Sequence, residues 1–427
     1  VRLTKWWQLQ SMRTEPRTES AHLTELRLFV EEICYSLCRF QHVVEDGVAP
    51  EDVRIGQEVS LGISGAFADI RVTVRGAAPY FVEVKYGYPR ETIIRHLGRK
   101  YGAVTPATQD ATKVVLVVDA QTQHDWPDIE SELRTVLRPG LGLEVWNEAR
   151  LTTLIRERVG LQIDSIREDT VSDLRAAVDA AMGQYAFGDH YADDLLQSSL
   201  LWHFGPWRLR EAREARQVAP QAIMPPRLYQ GVAVLFADLC SYSSYVRDTA
   251  DDAVVRNVLT SFYSKSRNQV LDTGGMLYQF QGDAVIALYG VPECRRGHVE
   301  DALACAQALV DIGNSTSNEW QRQIDHVQSA AGVHIGVALG DLQIVSLRPF
   351  AYAPVGAIAD SINLAARLTG AAEPSEIVVS NAFFQRLPEH RQAGFQEMEP
   401  LEARHIGRVK AWRLRLVETA SLQDPVT

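Results

Sequence analysis

Two short apolar segments, each tied to an aspartate, constrain this chain more than any other feature. GVAVLFAD (Gly231–Asp238) reads as a strand that ends in Asp238. YQFQGDAVIALYG (Tyr278–Gly290) reads as two strands rich in Val, Ile and aromatic residues, joined by a Gly-Asp turn that carries Asp283. A turn carboxylate beside one at the end of a neighbouring strand makes a site for a hard divalent cation, because Mg²⁺ and Mn²⁺ prefer a few carboxylate oxygens together with phosphate oxygens. Farther on, NLAAR sets Asn363 and Arg367 four residues apart on one helical face. Two acids, an amide and a guanidinium suit phosphoryl chemistry on a nucleoside triphosphate.

A chain of 427 residues is long enough for two or three domains, each with its own core. Residues 20–162 alternate helical and strand patterns: ADIRVTV, YFVEVKY, KVVLVVDA and LGLEVW read as strands, with RETIIRHLGRKYG and DIESELRTVLR as helices between them. This predicts an α/β sheet with helices on its faces. Residues 163–228 read as a helical linker that ends in the proline-bearing stretch VAPQAIMPPRLYQ. Residues 229–418 form a second α/β unit in β-α-β-β-α-β order, which predicts a ferredoxin-like sheet with helices on one face and the other open to a partner or an identical copy. Residues 419–427 are expected to be a frayed tail.

A formal charge of −11 argues against a chain that coats nucleic acid or anionic membrane along its length. No apolar stretch approaches the roughly 18–20 residues of a membrane span, and the first residues lack the apolar segment of a secretory signal. Five cysteines in a chain this long do not make a disulfide framework, so a reducing cytoplasm is the expected location. Cys34, Cys38 and His42 share a helical face, but as a metal site the set is incomplete and helix packing is the expected role.

Taken together, three motifs resemble the catalytic domain of class III nucleotidyl cyclases. FADLCSY resembles that family's FADIxGFT segment, TGGMLYQFQGDAVIALYG its GGxxxKxxGDxxxAxF segment, and ADSINLAARL its GDxVNLAARL helix. A lone Gly-Asp turn means little; three motifs in order across roughly 190 residues are specific. The resemblance implies that Asp238 and Asp283 hold two Mn²⁺ or Mg²⁺ ions, with the backbone carbonyl of Leu239 as a further ligand. It implies that Asn363 orients the ribose and Arg367 stabilises the transferring phosphoryl group. Backbone N–H groups from Leu239 to Ser243 are expected to receive phosphate oxygens. Because the family's metal pair and Asn/Arg pair come from opposite subunits, it also implies a homodimer with two sites. Arg348, Arg408 and Lys410 are further candidates for phosphate contact.

The departures from the family pattern concern the base. Gln279 stands where adenine-reading members carry Lys and guanine-reading members Glu. Gly356 occupies the second base-reading position, Ala359 replaces a glycine before the NLAAR helix, and Tyr242 replaces a Phe that would line the pocket. A glutamine amide can accept from uracil N3–H and donate to O4, or, turned over, serve cytosine N3 and N4. The pattern resembles the bacterial pyrimidine cyclases of antiphage signalling, which implies UTP as substrate and cyclic UMP as product. Cyclic CMP, or an adenylate or guanylate cyclase with an unusual pocket, are the alternatives.

In the first unit, ADIRVTVRGAAPYFVEVKYG sets Asp69 fourteen residues before Glu83, with Lys85 two further on. This resembles the PD-(D/E)xK nuclease-like fold, in which the two acids bind Mg²⁺ and the lysine helps activate water. The resemblance implies a restriction-endonuclease-like domain acting as a sensor of a phage component or nucleic acid, with Arg95, Arg99 and Lys100 as a basic helical face. A reading of another class follows: a metal-dependent nuclease with a cyclase-like dimerisation module.

Overall fold

The computed structural model describes residues 19–119, 126–328, 330–345, 356–403 and 407–416. Arg348 and the tail at 419–427 lie outside them. The chain opens with α1 (Glu19–Phe40), whose buried face carries Phe29, Ile33, Cys34, Leu37 and Cys38. The cysteines are therefore packing groups. His42 turns away to Asp46 and the Tyr80 hydroxyl, and all five cysteines are free.

Five strands follow in the spatial order of the chain: β1 (Val53–Ile63), β2 (Ala66–Val74), β3 (Tyr80–Val84), β4 (Lys113–Val117) and β5 (Gly142–Trp146). The first three are antiparallel and the last two run parallel to β3. The parallel pairings need crossovers, which α2 (Arg90–Tyr101) and α3 (Trp126–Val136) supply. One face packs against α1 and α4 (Glu148–Val159), the other against α2 and α3, as the alternating patterns predict. β1 was not legible as a strand.

Two long helices, α5 (Glu168–Phe187) and α6 (Leu195–Arg216), occupy the stretch expected to link the units, but they are not a free spacer. Val171 and Leu174 of α5 belong to the first core, whereas Leu200, Phe204 and Leu209 of α6 belong to the second. α6 bends at Gly205, which has φ +70°, directly before Pro206. A proline removes a helix hydrogen bond and clashes with the preceding turn, which accounts for the kink.

The second sheet contains β6 (Leu228–Leu239), then α7 (Tyr242–Asp248), α8 (Asp252–Asp272), β7 (Met276–Gln281), β8 (Ala284–Tyr289), α9 (His298–Ile324), β9 (Val333–Val345), β10 (Gly356–Ile358), α10 (Asp360–Ala371) and β11 (Glu376–Ser380). β12 (Gln396–Glu397) and β15 (Ala411–Arg415) extend it, and β13 (Leu401–Ala403) pairs separately with β14 (Gly407–Val409). The central order β9-β6-β8-β7 is the ferredoxin-like arrangement expected from the sequence. The second face is not open, however. Ala233, Leu235 and Ala237 face α8 and α9, while Val232, Val234 and Phe236 face a second core that includes Ala365 and Leu368 of α10 and Phe204 of α6. β6 is apolar from Val232 to Ala237 because that stretch is covered on both sides.

The two units are joined by charged groups, of which Arg39, Asp272 and Lys265 have little access to water. Arg39 pairs with Asp272 at 2.9 Å, and Arg54 reaches Asp301 at 3.0 Å and the Asp272 carbonyl at 2.7 Å. Lys265 of α8 sits between Glu31 and Glu58. Such pairs specify one docking geometry, since breaking a buried pair leaves an uncompensated charge.

Candidate active site

Asp238 ends β6 opposite Ala284, the first residue of β8, so the β7–β8 turn lies beside the strand end. Gly282 takes φ +63° in that turn, and Asp283 follows it. The two carboxyl groups come within hydrogen-bonding reach of each other. Burial pushes both up from the ordinary aspartate value, and the charge of Asp238 adds to the effect on Asp283, which rises to about 6. No lysine or arginine among the described residues pairs with either acid. Two half-buried carboxylates without a cation are unfavourable alone, and a divalent ion suits that deficit.

The turn is held from behind. Tyr263 of α8 donates its hydroxyl to the Gly282 carbonyl and stacks on Phe280 at 4.3 Å between centroids. Trp202 of α6 meets Phe280 edge-on at 6.0 Å. His203 Nδ1 lies 2.6 Å from the Leu277 carbonyl, so the kinked helix touches β7 directly. None of these supports was identified from the sequence; aromatic residues flanking the motif were the only signal. Tyr242 packs edge-on against Trp320 at 6.2 Å, and its hydroxyl is raised by burial first and then by Asp283, which places it beside the acid pair. Of the N–H groups expected to cradle phosphate, that of Cys240 is already donated to the Gly332 carbonyl. That one is removed from the set.

No cluster of three His, Cys, Asp or Glu side chains that could hold a metal occurs among the described residues. An ion at Asp238 and Asp283 would complete its shell with the Leu239 carbonyl, water and phosphate oxygens, the mixture that Mg²⁺ favours. The residues present fit such an ion.

α10 lies directly on β9: a Cβ at Gly336 would fall 2.3 Å from both the Ala365 carbonyl oxygen and the Thr369 nitrogen. This contact turns Ala365 and Leu368 inward and leaves Asn363 and Arg367 exposed. Neither side chain makes a hydrogen bond or ion pair with a described residue, and none joins them to the acid pair. Arg408 and Lys410, by contrast, form surface ion pairs with Glu402 and Glu397.

The two positions expected to read the base have neighbours in contact with each other. β7 is the edge strand, and its register shifts between Leu277 and Gln279. This bulge re-aims the side chains that follow. Gln279 is exposed and its amide is unbonded among the described residues. The Ala357 N–H donates to the Tyr278 hydroxyl at 3.2 Å, tying the residue next to Gly356 to the residue next to Gln279. Gly356 is buried at the start of β10.

In the first unit, Asp69, Glu83 and Lys85 also converge. Lys85 Nζ lies 2.7 Å from Asp69 and 2.8 Å from Glu83. Lys100, expected on an outward basic face, instead turns in to Glu83 at 2.6 Å and Asp69 at 3.3 Å. Tyr101 donates to Glu83 at 2.6 Å and the Val84 N–H to Asp69 at 2.7 Å. Burial acts against Asp69, but Lys100, Lys85 and its hydrogen bonds outweigh it and hold the carboxyl well below its ordinary value. Arg99 donates to the Ser64 carbonyl yet stays exposed, as does Arg95, so two members of the expected trio remain on the outer face.

Residues 224–415 match the model of the adenylate and guanylate cyclase catalytic domain. The C-terminal unit is a nucleotidyl cyclase catalytic domain of this adenylate/guanylate type. The chain is 33% identical over 156 residues to the uncharacterized protein Rv1320c of Mycobacterium tuberculosis, covering 35% of this chain and 25% of that protein. It is 27% identical over 143 residues to adenylate cyclase 1 of Rhizobium meliloti, covering 33% and 21%. The chain thus spans about a quarter of the length of these curated relatives. The crystal structure of the adenylyl cyclase CyaB from P. aeruginosa aligns at 16% identity over 45% of this chain and 97% of that one, with a TM-score of 0.39, too low to bear on function. Among the described residues no helix is long and apolar enough to cross a membrane.

Proposed function

We propose that this chain is a nucleotidyl cyclase that converts UTP to 3′,5′-cyclic UMP and pyrophosphate at the interface of a homodimer. The observation that carries this reading is a division of labour among the described residues: an acid pair that no lysine or arginine matches, and an exposed Asn363 and Arg367 that no described residue engages. Apposing two copies supplies each acid pair with the amide and guanidinium of the partner subunit. Asp238, Asp283 and the Leu239 carbonyl would hold two Mg²⁺ or Mn²⁺ ions, which when bound supply activation of the 3′-hydroxyl and neutralisation of the triphosphate. Asn363 holds the ribose so that its 3′-oxygen faces the α-phosphorus. As the 3′-oxygen bonds to that phosphorus, the bond to the β-phosphate bridge breaks, pyrophosphate departs and the hydroxyl proton passes to solvent. Arg367 stabilises the charge spread over the transferring group.

The amide of Gln279, unbonded among the described residues, supports a base that needs one donor and one acceptor. Purified protein given each of the four nucleoside triphosphates with Mn²⁺ is expected to turn over UTP. Turnover of CTP alone would move the product to cyclic CMP, and turnover of ATP or GTP alone would end the pyrimidine reading. The product would serve as a messenger in antiphage defence, with the first unit sensing a phage component or nucleic acid. Protection in phage plating that Asp283→Ala abolishes is the expected result; equal protection by the variant would refute that role. A second reading rests on the convergence of Asp69, Glu83 and Lys85: a nuclease with a cyclase-like dimerisation module. DNA cleavage lost in Glu83→Ala would favour it.

A further inference from the structure

A cavity of about 460 Å³ lies where the first unit, the kinked helix α6 and the base of the β7–β8 hairpin meet. Five arginines line it: Arg39, Arg54, Arg208, Arg295 and Arg296. Three are matched by carboxylates on the same wall, Arg39 by Asp272, Arg54 by Asp301 and Arg295 by Glu211. Arg208 is different. It is 8% exposed, and among the described residues no carboxylate forms an ion pair with it, including Glu51 and Glu300 on the same wall. One of its five donors goes to the Val291 carbonyl at 2.6 Å, and its guanidinium passes 3.3 Å from where a Cβ of Gly274 would stand. Burial first and then neighbouring Arg295 hold it down to about 10, while the more distant Asp301 and Glu293 act the other way, so the protein compensates its charge only in part.

A largely buried guanidinium that no described carboxylate touches is costly, and an anion with several acceptor oxygens relieves it. We propose that this cavity binds a small phosphate-bearing anion, with Arg208 at its centre and Arg296 at its rim. The volume falls in the range of small-molecule sites, roughly 300–1,000 Å³. The walls come from Arg39 and Arg54 of the first unit and from Gly274 at the foot of the hairpin whose tip carries Asp283. An occupant would therefore tie the first unit to the strand pair that positions the metal-binding turn.

The test uses the full chain in EDTA, so that no metal-dependent binding contributes, with inorganic phosphate, pyrophosphate and UMP as probes against chloride at matched ionic strength. Calorimetry and thermal melting are expected to show saturable binding and a raised midpoint with at least one probe. Arg208→Met should weaken that binding about tenfold or more, the scale of a lost charge-assisted hydrogen bond. UMP binding without phosphate binding would place the phosphate on a nucleotide. If Arg208→Met does not fold, Arg296→Ala, whose native side chain makes no ion pair with a described residue, should weaken binding about threefold. Absence of saturable binding by all three probes, or unchanged affinity in the folded variant, would overturn the proposal.

Discussion

The chain holds two acid pairs, one on each sheet, and their surroundings differ in one respect. Asp69 and Glu83 are neutralised from within, by Lys85, Lys100 and a tyrosine hydroxyl. Asp238 and Asp283 have only each other. The first pair is therefore held below its ordinary proton affinity at Asp69, and the second is raised. A self-compensated cluster stabilises its own domain, whereas an uncompensated one requires something from outside: a metal, a substrate or another subunit. Two carboxylate pairs reach opposite electrostatic states because two lysines are present in one place and, among the described residues, absent from the other.

The strongest way to break this contrast is Asp283→Ala. Turnover is expected to fall about a thousandfold, the scale of removing a central electrostatic stabiliser, while gel filtration still shows a folded dimer. Substantial residual cyclisation would show that the ions sit elsewhere. Removing a carboxylate from the closed cluster should have the opposite signature. Glu83→Ala leaves the ammonium groups of Lys85 and Lys100 to share Asp69 alone and is expected to cost about 3 kcal/mol in denaturant unfolding, with cyclase turnover per folded molecule retained. An unchanged unfolding midpoint would mean that the cluster is open to solvent or ligand instead.

Mixing tests the dependence on a second subunit. Asp283→Ala and Arg367→Ala are each expected to be inactive, yet equal amounts refolded or co-expressed should recover about a quarter of the native activity, since about half the dimers carry one intact site. No recovery would place both groups in one subunit. The smallest effect is in acid. Asp69 has a depressed folded-state value, so its contribution is present above its ordinary value of 3.8 and is lost as pH falls through and below it. Asp69→Asn should therefore flatten the dependence of the melting midpoint between about pH 5 and 3. An equal slope in both proteins would show that Lys85 and Lys100 do not hold that carboxylate in solution.

Much of the site is local and so was readable in the chain. An apolar run must be a strand, a Gly-Asp pair between two runs must turn, and four-residue spacing must put Asn363 and Arg367 on one helical face; these follow from backbone geometry alone. The same local logic missed β1, whose alternation is blurred because its outer face is covered by α8 and α9 through Glu58, Ser60 and Gln57. It also put Lys100 outside, since a helix wheel does not show which neighbour lies beneath it.

Sequence by itself determined the strand-turn-strand acids, the helix that displays the amide and guanidinium, and the departure at Gln279. Tertiary structure decided the rest: that α6 and α10 cover the face expected to be open, that Lys85 and Lys100 close one acid pair, and that Arg208 is buried without a carboxylate. The reason is physical. Backbone preference acts over a few neighbouring residues, whereas burial and charge compensation depend on groups brought together from distant parts of the chain.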